Sequence, residues 1–206
     1  LASGDIRIIH LGGVEEIGRN MSMIEYKDTI LVVDCGVQFT ETNTPGIDFI
    51  LPNTRYLEEH KHKIKGVLVT HGHLDHIGSF PYIMPRIGNP PVYARLFTSL
   101  MIKKRQEKLA PNQPANLTVV EKEGEIELGD FRVKFFGVKE SSPTEMGIIL
   151  KTEHGDIVFH GTIRLNQKNN VIDETEVDRY AYFAHSKTLL LMADSTNCEN
   201  PGFAVS

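Results

Sequence analysis

The chain has 206 residues and a mass of 23.2 kDa, 40% of them hydrophobic and 24% charged, a composition ordinary for a soluble globular protein with one core or a large part of one. No apolar run approaches a membrane span, and no basic-then-apolar leader opens the sequence. With net charge −5 and a pI near 6.0, contact with nucleic acid would need a local basic face, because the molecule as a whole does not supply one.

Residues 5–10 alternate like an opening strand and lead into the glycine-rich stretch 11–20. That stretch lacks a following Lys-Ser/Thr and matches no dinucleotide spacing, so it reads as a tight turn between strands in preference to a phosphate cradle. Residues 21–26 and 29–34 form a hairpin around Lys27-Asp28, and 36–52 are irregular, punctuated by Pro45-Gly46. Residues 53–63 suit a short polar helix, with His60 and His62 as solvated surface residues. The two cysteines, Cys35 and Cys198, lie far apart without ligand spacing and read as buried free thiols in a reducing compartment.

The run Lys65-Gly66-Val67-Leu68-Val69 is short and β-branched, as a buried strand should be. Directly after it stands Thr70-His71-Gly72-His73-Leu74-Asp75-His76, and then an apolar spacing over 77–84 that suits a helix against a sheet. Three imidazoles and a carboxylate thus fall on the turn between a strand end and a helix start, where a rigid scaffold can carry chemistry. Packing does not call for this composition. Nitrogen and oxygen donors in one cluster suit a borderline metal such as zinc.

Further on, Pro90-Pro91 ends the helical stretch, 92–94 is a short strand, and 95–109 is a second helix. Its Lys103, Lys104 and Arg105 read as a solvated face, with contact to a phosphate backbone as the alternative. Residues 111–114 form a loop, and strands follow at 117–120, 125–128, 131–137, 146–152 and 157–160. The turn at 153–156 points His154 into solvent. Residues 174–185 are helical and 188–193 form a final buried strand leading into Asp194. No repeat or linker divides the chain, and many strands with few helices suggest stacked sheets with helices outside.

The H-x-H-x-D-H pattern of residues 71–76 resembles the first metal motif of the metallo-β-lactamase superfamily. There the first two histidines serve one metal, and the aspartate and last histidine a second. The segments 11–20 (LGGVEEIGRN), 34–39 (DCGVQF), 44–52 (TPGIDFILP), 70–78, 135–138 (FFGV) and 193–197 (ADSTN) extend the likeness and together resemble the ribonuclease J family. The resemblance implies an α+β fold, the four-layer αββα sandwich, over residues 1–206 as the N-terminal portion of a metallo-β-lactamase-like domain. The family's β-CASP insertion and the closing part of its sandwich would then lie beyond Ser206. It also implies RNA as substrate and one or two zinc ions, with manganese as an alternative. The location expected is cytoplasmic, without a membrane. A downstream segment or self-association would cover the open face.

Two departures from the family pattern fall on ligand positions. Glu140 stands where the family has a histidine ligand, and Thr162 stands where a bridging aspartate is expected; Asn166 replaces a further aspartate. The resemblance therefore implies His71, His73 and Glu140 around a first metal, since two histidines and a glutamate with one open position make a catalytic zinc set. Asp75 and His76 are left for a second metal, with Asp75 also handling the attacking water. A neutral threonine cannot offset the repulsion of two dications, so the second position should be weak. His160 would enter the site only through a shift of register, and otherwise faces away. Asp194 is expected to orient a ligand histidine, or else to build a turn. The function implied is an RNA phosphodiesterase of reduced or altered activity. Its rivals are a non-catalytic relative that binds RNA or a partner, and a hydrolase of another substrate on the same fold.

Overall fold

The computed structural model describes residues 4–40, 45–137, 145–161, 180–181, 183, 185–196 and 198–201, with the backbone of 167–168 and 171–172. Strand β1 (Ile6–Gly12) pairs antiparallel with β2 (Met21–Tyr26), which forms the expected hairpin with β3 (Thr29–Val33). The stretch expected to be irregular holds a two-stranded hairpin, β4 (Gln38–Phe39) with β5 (Phe49–Ile50). The polar helix is shorter than its sequence suggests: α1 (Arg55–Glu59) gives way to a 3₁₀ turn, Lys61–Lys63. His60 sits at that break with its ring stacked on Tyr56 at 4.1 Å, so it is a half-buried packing residue and the solvated reading is corrected.

Strand β6 (Ile64–Leu68) runs parallel between β3 and β7 (Val92–Ala94). Two one-turn helices follow β6 in place of one, α2 (Leu74–Ile77) and α3 (Phe80–Ile83), because Ser79 and Pro81 restart the helix after Gly78. Helix α4 (Leu96–Leu109) precedes β8 (Leu117–Val119). On α4, Lys103 and Lys104 are exposed, whereas Arg105 donates from Nε to the Gly78 carbonyl at 2.8 Å and ties the helix to the end of α2. The first sheet thus runs β1-β2-β3-β6-β7-β8.

The second sheet contains β9 (Glu125–Leu128), β10 (Phe131–Gly137), β11 (Met146–Thr152) and β12 (Gly155–His160), with β15 (Thr188–Ala193) parallel to β12 at its edge. A separate backbone pair joins β13 (Gln167–Lys168) and β14 (Val171–Ile172).

Strand alternation builds two cores from these sheets. In β3, Ile30 and Val32 face the helices with Leu57, Ile77, Phe80 and Ile102, while Leu31 and Val33 face the second sheet with Phe131, Val133, Phe135 and Leu150. A helix layer on one sheet and a second sheet behind it give the mixed α+β sandwich expected. Among the described residues no helix is long and apolar enough to cross a membrane.

Two further readings are overturned: of the two thiols expected to be buried Cys35 is buried but Cys198 is exposed, and the last strand is not covered. Strand β15 was expected to be buried, yet Leu189, Leu190 and Leu191 are 53%, 37% and 54% exposed. The strand lies at the edge of its sheet, and among the described residues only β12 flanks it.

Candidate metal centre

The site grows from the carboxyl ends of two parallel strands. Pairing of Val33 with Leu68 brings the exits of β3 and β6 side by side, so Asp34 lies against Val69 and Thr70. The Asp34 amide donates to the Leu68 carbonyl at 2.9 Å, and its carboxylate accepts from the Thr70 amide at 2.8 Å. Such strand ends are where sheets of this kind present chemistry, because side chains converge there from several loops.

His71, His73, Asp75 and His76 come together above that edge. His71 is buried, its ring centre 4.0 Å from that of His76 and 4.6 Å from that of His73. The Thr70 hydroxyl donates its single proton to Asp34 (2.9 Å to Oδ2), so at 3.0 Å it accepts from His71 Nδ1. That fixes the His71 tautomer and leaves Nε2 as the acceptor nitrogen, 3.1 Å from His73 Nδ1. Burial, aided by the charge of His76, pushes His71 down to about 4, which keeps it neutral near pH 7.

His76 has the opposite environment. Burial opposes its charge, but Asp34 at 2.7 Å from Nδ1 and Asp75 at 3.4 Å from Nε2 outweigh burial and raise it to about 10. Burial of Asp75 favours its neutral form, yet its hydrogen bond with His76 wins and its carboxyl is held below the usual range. The Asn20 side-chain amide lies 3.2 Å from both Asp75 Oδ2 and His76 Nε2.

The donor chemistry fits a zinc-type ion. Two nitrogens bound to one tetrahedral zinc at about 2.0–2.1 Å stand roughly 3.3 Å apart, close to the 3.1 Å between His71 and His73. Among the described residues no three His, Cys, Asp or Glu groups open onto one common point. The reason is visible in the contacts: the histidine nitrogens and Asp75 are turned onto each other, onto Asp34 and onto Asn20. Glu140 and Thr162, expected to contribute here, lie outside the described residues, as does Asn166.

The other expected residues are apart from this cluster or turned elsewhere. His160 is buried at the end of β12, with Tyr180 OH 3.0 Å from Nε2 and Phe136 beside its ring. Asp194 is exposed, and its carboxylate accepts from the Thr196 amide at 2.9 Å and from the Thr196 hydroxyl, closing a turn. His154 is exposed and lies 2.7 Å from the Gly4 carbonyl.

Sequence reasoning did not assign Asp34, Thr70 or Asn20 a role in the site. Asp34 did carry a signal: it is the first charged residue after the apolar run of β3, at the exit of a buried strand next to the histidine-bearing one. Asn20 carried none, since its partners lie 55 and 56 residues away.

Comparison with known proteins bears on the family and the fold. The profile of the metallo-beta-lactamase superfamily matches residues 14–195. Ribonuclease J of Corynebacterium glutamicum is 35% identical over 98% of this chain, and ribonuclease J of Thermus thermophilus is 34% identical over 98%. The match takes in 28% and 36% of those two relatives, so the chain spans about a third of their length.

Among solved structures, a protein of unknown function from Enterococcus faecalis V583 is similar with a TM-score of 0.65 and 19% identity, covering 97% of this chain and 52% of its own. A B3 metallo-beta-lactamase described as having an active-site glutamic acid gives 0.57 and 14%, covering 98% and 79%. Zn(2+)-bound PqqB from Methylobacterium extorquens gives 0.58 and 12%, covering 86% and 60%.

Proposed function

The chain belongs to the metallo-beta-lactamase superfamily, and we propose that it acts as a metal-dependent RNA phosphodiesterase of the ribonuclease J type, with activity lowered or altered by Glu140 and Thr162. The observation that carries this reading is the His71, His73, Asp75 and His76 cluster at the strand exits, in a chain aligned almost end to end with part of ribonuclease J. His71, His73 and Glu140 would hold one metal, and Asp75 with His76 a second. Zinc is the ion this donor set suits, with manganese the alternative once oxygen donors dominate.

When bound, such an ion supplies a water of lowered pKa and charge stabilisation for a phosphate in displacement. The chain's own residues do the positioning. Thr70 keeps the His71 lone pair outward, and Asp34 fixes the His76 ring through Nδ1. Asp75, ionised and half-buried, can orient the attacking water and take its proton.

Glu140 is a workable ligand in this role. A B3 metallo-beta-lactamase with an active-site glutamic acid exists on the same fold, which supports a glutamate at such a centre. The second position is weaker for two reasons. Thr162 offers no charge to offset two cations, and His76, held protonated by Asp34, must release a proton before Nε2 can bind. Those same two substitutions favour the rival reading, a non-catalytic relative that binds RNA or a partner chain. A hydrolase of another substrate on this fold is the third. The setting proposed is cytoplasmic, with a further segment or a second copy covering the apolar edge at β15.

The test is cleavage of a 5′-labelled single-stranded RNA with added zinc or manganese. Slow, chelator-sensitive cleavage that disappears in His73→Ala supports the proposal. Chelator-insensitive cleavage, or full cleavage by His73→Ala, overturns the metal mechanism. RNA binding without cleavage in wild type, Glu140→His and Thr162→Asp alike favours the non-catalytic reading. A large gain from Glu140→His identifies Glu140 as the residue that lowers activity, and a second metal gained by Thr162→Asp identifies the missing bridge.

A further inference from the structure

Helix α2 is only four residues long, too short to hold its own geometry, and it carries both Asp75 and His76. Its successive carbonyls are held from outside. Leu74 O accepts from the Val37 amide at 3.1 Å, Asp75 O from the Asn20 amide at 2.9 Å, and His76 O from the Cys35 amide at 2.7 Å. Asn20 alone reaches past the backbone. Its side-chain Nδ2 donates to Asp75 O at 3.1 Å and to Asp75 Oδ2 at 3.2 Å, and lies 3.2 Å from His76 Nε2.

Two glycines make room for this residue. A Cβ on Gly36 would lie 1.5 Å from Asp75 O and 2.7 Å from Asn20 N; one on Gly13 would lie 2.4 Å from Asn20 Oδ1. The glycine-rich stretch 11–20, which held no phosphate signature, therefore has a physical purpose. It brings Asn20 against α2.

We propose that Asn20 is a positioning residue whose side-chain amide sets the orientation of the Asp75 carboxylate toward a bound divalent cation. The proposal rests on the reading of this cluster as a metal centre. One amide nitrogen directs its two protons to the backbone carbonyl and to the carboxylate of Asp75, so it restrains that carboxylate against rotating away from α2. Partners of this kind typically govern metal affinity by about 10–100-fold.

The test is titration of the metal-free chain with Co²⁺, followed by visible absorption and calorimetry, in wild type, Asn20→Ala, Asp75→Ala and the double variant. The expected result is Co²⁺ binding weakened about tenfold in Asn20→Ala, with an altered absorption envelope. No further weakening is expected when Asn20→Ala is added to Asp75→Ala. A merely structural asparagine would lower the melting temperature equally in both backgrounds and leave the affinity alone, which overturns the proposal. So does an equal loss of affinity in both backgrounds.

Should Asn20→Ala fail to fold, Asn20→Ser, too short to reach the Asp75 carboxylate, carries the same expectation. Co²⁺ binding that Asp75→Ala weakens but Asn20→Ala leaves unchanged refutes the role of Asn20 and keeps the metal centre. No Co²⁺ binding by wild type, at any concentration short of precipitation, removes the metal centre itself.

Discussion

Strands β6 and β15 are both short apolar runs, and only their neighbours make them different. Strand β6 lies between β3 and β7 with a helix layer on one side and the second sheet on the other, and Val67 and Leu68 are fully buried. Strand β15 lies at the rim of the second sheet with three leucines more than a third exposed. The histidine-bearing loop leaves from the first kind of strand, Asp194 from the second. A site built on a strand covered on both faces inherits fixed positions, whereas residues leaving a rim strand are placed by whatever later covers that rim.

The sharpest way to break this contrast is at Gly36. A methyl there would overlap the Asp75 carbonyl at 1.5 Å, and backbone cannot step aside as a side chain can. Gly36→Ala should displace α2 and cost more than any of the changes below, with loss of the Asp75 and His76 arrangement visible in metal titration and in urea unfolding. A wild-type-like melt would show that α2 is less constrained than its carbonyl partners imply.

Next in size is Leu68→Ala, which empties a fully buried position between the sheets and should cost about 2–5 kcal/mol in urea unfolding. Leu191→Ala is the matched change at the rim and should lie within about 0.5 kcal/mol. Equal costs for the two would mean that β15 is covered in solution, and sedimentation would then have to show a dimer or larger form.

His71 and His76 are separated by pH in the metal-free protein. His76, raised to about 10, contributes stability that is complete below the ordinary value of 6.5 and is lost as pH rises through about 10. His71, lowered to about 4, contributes stability that is present above 6.5 and lost as pH falls through about 4. The urea midpoint should therefore peak near pH 6.5. Asp34→Asn, which removes the carboxylate that raises His76, should flatten the alkaline limb and leave the acid limb in place. An unchanged alkaline limb would show that Asp34 does not hold the His76 proton.

Much of this molecule was open to reading from sequence because it is local. Short apolar runs set between turn residues located β2, β3, β10, β11 and β12, and the composition of residues 71–76 marked the site before any neighbour was known. Periodicity misjudged the elements whose limits are set by contacts. The α2–α3 break is made by Ser79, whose amide donates to the Cys35 carbonyl at 3.0 Å, a contact across the fold. His60 looked solvated until Tyr56 was seen stacked on it.

The sequence by itself determined which residues could do chemistry here, namely three imidazoles and a carboxylate between a buried strand and a helix start, and it determined the family likeness through motifs spread along the chain. The tertiary structure alone decided what holds them. Asp34 is 42 residues from His76 and Asn20 is 55 from Asp75, and they meet because β3 pairs with β6 and because two glycines let loop backbones approach α2. It alone decided, too, that β6 would be central and β15 a rim. The reason is physical: an apolar run encodes the wish to be buried, but the order in which strands pair, and so what buries each one, is a property of the whole chain.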